Sequence, residues 1–418
     1  MHLILYIITG ILYATGFIFL FRWLNRRKGK PADERWLLVA FAAKLVAGFV
    51  YGYVYAHYFP VSDSWVYFKE SMAEYQNLLT RPSAFFSTGI TFSNLTDLFS
   101  TADDAPWSNT GENLLIKLLA VFNVLSGGNY YIDVIFFNAL SFWGLYLIYV
   151  VAKRHIQKNG LLLFCIVFFL PSCLFWNSGI DKDGLIVFFT GILIYSAHYC
   201  ITVKRTVGQL GIGVLSFMFV FLLRNVNALV LLPAIIAWWI AVKLVPARPY
   251  LSYILVYSGC LVVFFLSVRF PAKFNLPLKL AEKQHQFLML EANTVLPLTP
   301  LKPTVKSYTA VLPQAVNHVF LRPYITEIRS PFHLMAFAEI LLVLAIFLLA
   351  VLSAAKHIPG KLSQPFCLFV IAVSLTGLLI IGYTVPFTGA IVRYKALYIV
   401  LFLLPFAGVL NGIRGKGK

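Results

Sequence analysis

The chain has 418 residues, 60% hydrophobic and only 12% charged, with a mean hydropathy of +0.81. A soluble domain carries roughly a quarter charged residues, so this composition excludes a water-soluble globule and makes lipid the solvent for most of the chain. The formal charge of +18 reads as membrane topology and attraction to anionic lipid rather than as nucleic-acid binding.

A spanning helix needs roughly 20 mostly apolar residues. In chain order the runs that qualify are 3–23, 36–57, 132–152, 161–177, 185–203, 208–223, 228–243, 251–268, 334–353, 364–385 and 396–412. They predict a single all-α integral membrane domain over 1–418 with about eleven transmembrane helices. The first run lacks a basic leader and a small-residue cleavage site, which favours a retained helix over a signal peptide. Lys44 lies inside the second run, where it can snorkel to the inner face, and the remaining spans read as nearly free of charge. The five cysteines and eight histidines show no metal-ligand spacing, which predicts neither a disulfide framework nor a zinc site.

Orientation follows from the cations of the short connections. Eighteen of the 34 lie in alternate segments: Arg22 to Arg35, Lys153/Arg154/Lys158, Lys204/Arg205, Lys243/Arg248, Lys356/Lys361 and Arg414/Lys416/Lys418. Placing these in the cytoplasm puts the N-terminus outside, the C-terminus inside, and two long segments, 58–131 and 269–333, on the outer face. Connections this long usually carry function or their own structure.

In the first outer segment Ser62 or Asp63 can cap a helix whose Trp65, Phe68, Met72, Tyr75 and Leu79 form an apolar stripe. That pattern predicts an amphipathic surface helix, with Asp63 either a cap or a functional carboxylate. The next outer connection, Trp176-Asn177-Ser178-Gly179-Ile180-Asp181-Lys182-Asp183, packs two carboxylates and a lysine into a very short link between apolar runs. It is either a solvated turn neutralised by Lys182 or, since charge so near lipid is costly, a functional cavity. Arg224 with Asn225 and Asn227 marks another outer junction. In the second outer segment, residues 278–290 predict a surface helix, and Pro297, Pro300 and Pro303 predict irregular chain after it. Arg322-Pro323-Tyr324…Glu327 follows, and Arg393-Tyr394-Lys395 opens the last span. A guanidinium holds phosphate oxygens in bidentate fashion and stays charged near lipid. Such arginines therefore bind either lipid headgroups or an anionic ligand.

Asp63-Ser64-Trp65-Val66-Tyr67, Phe175 to Asp183, Arg322-Pro323…Glu327 and Gly389…Arg393-Tyr394, in that order and all on the outer face, resemble a bacterial envelope family. Its members are polytopic glycosyltransferases and polysaccharide polymerases of the GT-C kind, and the resemblance covers about residues 60–400. It implies a GT-C-like fold in the bacterial inner membrane and a sugar donor on a polyprenyl-phosphate carrier. The acceptor would be an envelope glycan or lipid. The chain departs from better-known members in carrying its acidic motif after the second helix rather than as an Asp-Glu pair after the first.

Glycosyl transfer needs a carboxylate to take the acceptor's proton and cations to receive the departing phosphate. On that reading Asp63 is the expected general base, while Asp181 and Asp183 orient the acceptor or a divalent cation. Arg322, Arg393 and Arg224 are expected to bind phosphate, with Tyr67, Trp176, Lys182, Glu327 and Tyr394 as further substrate contacts. The alternatives are a repeat-unit polymerase or ligase acting on lipid-linked glycan, and a non-enzymatic lipid-glycan flippase.

Overall fold

The computed structural model describes residues 2–59, 62–87, 106–156, 160–204, 206–290, 294–354 and 362–410. Asp97, Asp103, Asp104, Glu291 and the basic positions 158, 205, 356, 361, 414, 416 and 418 lie outside the described residues. Within them the chain is helical, with no strand and one isolated β-bridge, Val295 with Phe387.

Among the described residues nine helices are long and apolar enough to cross a membrane, which fits an all-α, multi-pass membrane protein. They are α1 (His2–Arg27), α2 (Glu34–His57), α6 (Tyr130–His155), α9 (Lys182–His198, continued by a π turn, Tyr199–Val203), α11 (Asn225–Lys243), α12 (Pro249–Leu266), α15 (Pro331–Ala354), α16 (Pro365–Thr384) and α17 (Thr388–Val409). Two of the predicted spans are not among these nine. The run 161–177 is broken at Pro171 into α7 (Gly160–Phe169) and α8 (Pro171–Trp176), because proline has no N–H for the helical ladder. The run 208–223 is the 17-residue α10 (Val207–Leu223), which ends at Arg224.

Helices α6 and α17 are buried along most of their length, whereas little of α1 is fully buried. Exposed Ile4, Leu5, Ile8, Ile11 and Leu12 on α1 would be unstable against water and suit lipid. At the centre, α6 crosses α9 where Gly144 lies against the backbone of Val187 and Phe188, and Gly191 against the backbone of Gly144. No Cβ fits between them, so the two helices meet backbone to backbone.

The basic connections gather at one pole. Arg22 and Arg26 pair with Glu34 at 2.8 and 2.6 Å, Lys28 donates to the Tyr195 hydroxyl at 2.8 Å, and Tyr149 donates to the Pro31 carbonyl at 3.2 Å. His155 stacks on Phe366, and Tyr253 donates to the Pro365 carbonyl at 2.8 Å. The ends of six spans thus meet there, as the alternation of cations requires.

At the other pole sit the segments predicted to be outer. The surface helix of the first one is α3 (Asp63–Thr80), followed by α4 (Pro82–Ser87) and by a helix the sequence reading did not include, α5 (Pro106–Ser126). The buried face of α3 is Ser64, Tyr67 and Ser71 rather than the expected stripe, of which Trp65, Phe68, Met72 and Tyr75 are half-buried and Leu79 is exposed. Small hydroxyl residues let α3 approach its neighbours closely: Ser64 shares a hydrogen bond of 2.7 Å with Tyr130, and Asn123 donates to Ser71 at 2.9 Å.

The second segment contains α13 (Leu276–Leu288), as predicted, and extended chain around Pro297 and Pro300. The chain after Pro303 is not irregular: Thr304 caps a helix, α14 (Val305–Phe320), so that proline stands just before a helix start rather than within a loop. This segment is tied to the α16–α17 turn. Gln284 donates to the Tyr383 carbonyl at 2.8 Å and Thr388 N to the Thr294 carbonyl at 3.1 Å.

Candidate functional site

Five charged residues from four separate parts of the chain converge at the second pole. Arg393, one turn into α17, is their centre. Its Nε donates to Asp183 Oδ2 at 2.5 Å, its Nη2 pairs with Asp181, and its Nη1 lies 3.5 Å from Asp63 Oδ2. Arg224 Nη1 reaches the other oxygen of Asp183 at 2.8 Å. The three carboxylates therefore share two guanidiniums, and Asp181 and Asp183 are almost completely buried. Removing ions from water is costly unless each is matched, and here the planar fork of Arg393 supplies the match.

Local structure explains each placement. The link after α8 is short, so Asp181 arrives as the N-cap of α9 with Asp183 in its first turn, where a helix N-terminus favours negative charge. Burial pushes the Asp181 carboxyl above its ordinary range, and Arg393 opposes that shift. Ser62 rather than Asp63 caps α3, which leaves the Asp63 side chain 62% exposed. Asp63 is thus the carboxylate most open to a ligand.

A small cleft opens beside this network, lined by Asn177, Asp183, Arg224, Asn227, Arg393 and Tyr394, with Tyr398 beneath. Tyr394 lies under the Arg224 guanidinium, 4.4 Å from the ring centre, and Tyr398 donates to Asn227 Oδ1 at 2.9 Å. On the other flank stands an aromatic cluster of Tyr51, Tyr55, Phe175, Trp176 and Phe332. The buried Trp176 Nε1 has no hydrogen-bond partner. Tyr67 is buried within electrostatic range of Asp181 and Asp63, and burial raises its hydroxyl pKa.

Of the residues expected from sequence, Asp63, Asp181, Asp183, Arg224, Arg393 and Tyr394 come together, with Tyr67 and Trp176 alongside. The readings of Lys182 and Lys44 need correction, and Arg322 and Glu327 stand apart from the aspartates. Lys182 does not neutralise its neighbours: it pairs with Glu112 of α5 at 2.9 Å. Arg322 and Glu327 pair with each other at 3.3 Å, and neither contacts the three aspartates. Lys44 does not snorkel. Its buried Nζ donates to the Asn177 carbonyl at 2.9 Å and to Ser178 Oγ at 3.1 Å.

The expectation of charge-free spans fails as well. Glu339, within α15, accepts from Ser172 N at 2.6 Å and from Ser172 Oγ at 2.7 Å, and Lys395 donates to the Val319 carbonyl at 3.0 Å. Both are buried. A lone Glu inside the run Phe337-Ala338-Glu339-Ile340 was the visible signal, because a carboxylate there must have a partner.

The cations around Asp181 and Asp183 are guanidiniums, and no group of three His, Cys, Asp or Glu side chains suited to a metal occurs among the described residues. Comparison with models of known families, with characterised proteins and with solved structures finds no match to the chain.

Proposed function

We propose that the chain is a membrane glycosyltransferase of GT-C-like design, transferring a sugar from a polyprenyl-phosphate donor to an envelope glycan or lipid acceptor. The Arg393 pole is the outward face of a bacterial inner-membrane protein in this reading. The supporting observation is one guanidinium shared by three carboxylates beside an aromatic cluster. A charge network this buried is expensive to hold, and such networks concentrate at sites of chemistry.

The chemistry follows from exposure. Asp63 takes the proton from the acceptor hydroxyl as that oxygen attacks the anomeric carbon. The bond from that carbon to the phosphate oxygen breaks, and the electron pair leaves with the phosphate. Arg224 and Arg393 line the cleft and receive the growing negative charge. Asp181 and Asp183 hold the two guanidiniums in place, which makes them positioning residues. Tyr67, Trp176 and Tyr394 contact the sugar or carrier around them. The same ligand chemistry serves a repeat-unit polymerase or ligase, which product length on a gel separates from single-sugar transfer.

A second reading rests on Lys44, Glu339 and Lys395. Buried charges inside spans mark transport paths in membrane proteins, so a lipid-glycan flippase is the competing function. The deciding experiment reconstitutes the purified protein in liposomes with a polyprenyl-phosphate-linked sugar and an acceptor. Transfer that is lost in Asp63→Asn and in Arg393→Gln supports the enzyme. Undiminished transfer in both variants sinks the site assignment, and translocation without transfer favours the flippase.

A further inference from the structure

Among the described residues four carboxylates are buried: Asp133, Asp181, Asp183 and Glu339. Three of them have partners. Asp133, in the first turns of α6, is completely buried, and neither of its carboxylate oxygens has a hydrogen-bond partner. The helix N-terminus does not supply one, since Asn129 Oδ1 already accepts from Tyr131 N at 3.0 Å and from Ile132 N at 3.2 Å.

The Ser126 hydroxyl stands beside the carboxyl without reaching hydrogen-bond geometry. It lies 3.5 Å from Asn123 Oδ1, at the limit of a hydrogen bond. Asn123 in turn donates to Ser71 of α3. Ser71, Asn123 and Ser126 are all buried, so α3, α5 and α6 meet around an unmatched negative charge.

We propose that Asp133, Ser126 and Asn123 form a site for one monovalent alkali cation. Hard cations take oxygen ligands from carboxylate, hydroxyl and amide carbonyl groups, and all three types are present here. Charge decides the valence: a single carboxylate cancels one positive charge, whereas a divalent ion would leave a net charge buried at high cost. The ion joins α5 to α6 and, through Asn123 and Ser71, steadies the helix that carries Asp63. The proposal stands independently of any transfer activity.

The test is thermal melting of the purified protein at equal ionic strength in sodium, potassium or N-methylglucamine chloride. A bound ion stabilises the folded state by mass action, so the wild type should melt about 2–4 °C higher in one of the alkali salts. Asp133→Asn, nearly the same size and uncharged, should lose that difference. Ser126→Ala should need more salt to reach it. Equal melting in all three salts overturns the site, as does an unchanged difference in Asp133→Asn. A melting point that ignores the salt, with a pH dependence that disappears in Asp133→Asn, identifies Asp133 as a protonated acid and also overturns it.

Discussion

Lys44 Nζ, buried in the middle of α2, donates to the Asn177 carbonyl at 2.9 Å, and so fixes the link that carries Asp181 and Asp183. Gly48, one turn further along, passes so close to the same link that an added Cβ would lie 2.8 Å from the Ser178 carbonyl. From the other side Asn138 donates to that carbonyl at 2.9 Å. Lys44→Met keeps the bulk and removes both donated bonds. Its stability should change little, because losing the bonds is offset by no longer burying an ammonium. Its transfer rate should fall about tenfold or more, since misplaced reacting groups are costly. Initial rates and melting temperatures on one preparation check this, and an unchanged rate would remove Lys44 from the site.

Arg393 is expected to matter for the fold as well as for ligand binding. Arg393→Ala leaves Asp181 buried without its cation and should destabilise the protein by about 3–5 kcal/mol. Adding Asp181→Asn should recover part of that loss, as coupled neighbours do. Asp63→Asn, at an exposed and longer contact, should cost under about 1 kcal/mol. Melting of the two single variants and the double mutant measures all of these values.

The α6–α9 crossing makes a prediction about size alone. Gly191→Ala inserts a methyl group against the Gly144 backbone, which has no rotamer by which to yield. A loss of about 1–3 kcal/mol is expected, whereas Gly208→Ala, in open space on α10, should be near neutral. Comparing the two variants by melting separates packing from glycine's own flexibility.

His318 of α14 is buried, its Nδ1 has no partner, and burial together with nearby Arg322 lowers its pKa to about 4. Between that value and the ordinary one near 6.5 the unfolded chain binds the extra proton and the folded chain does not. Stability should therefore fall as pH drops from about 6.5 towards 4, and be retained above that window. His318→Phe should flatten this part of the profile. Melts across about pH 3.5–7.5, a range of about four units spanning the two pKa values, test it.

Much of this was legible in residue order. The alternation of Arg22–Arg35, Lys153/Arg154 and Lys204 with apolar runs is a direct record of which ends meet, because cations partition to one side of a bilayer. That parity placed Asp63, Asp181, Asp183, Arg322 and Arg393 on one face, with Arg224 at a further junction there. Their pairing was not legible. Nothing in local sequence says that Lys182 finds Glu112, or that Arg322 turns to Glu327 and away from the aspartates, since those choices depend on how α5 and the 321–330 link pack. Lys44 was misread for a related reason. Snorkelling assumes lipid around the side chain, and α2 instead has the 177–178 link against that face.

The join between Arg393 and Asp183 spans 210 residues, which has a consequence for biogenesis. A ribosome adding about 5–20 residues per second needs about 10–40 s to cover that distance. Throughout that interval Asp181 and Asp183 have emerged and their main cation has not been made. Insertion of α17 is then the event that closes the charge network around Asp181 and Asp183.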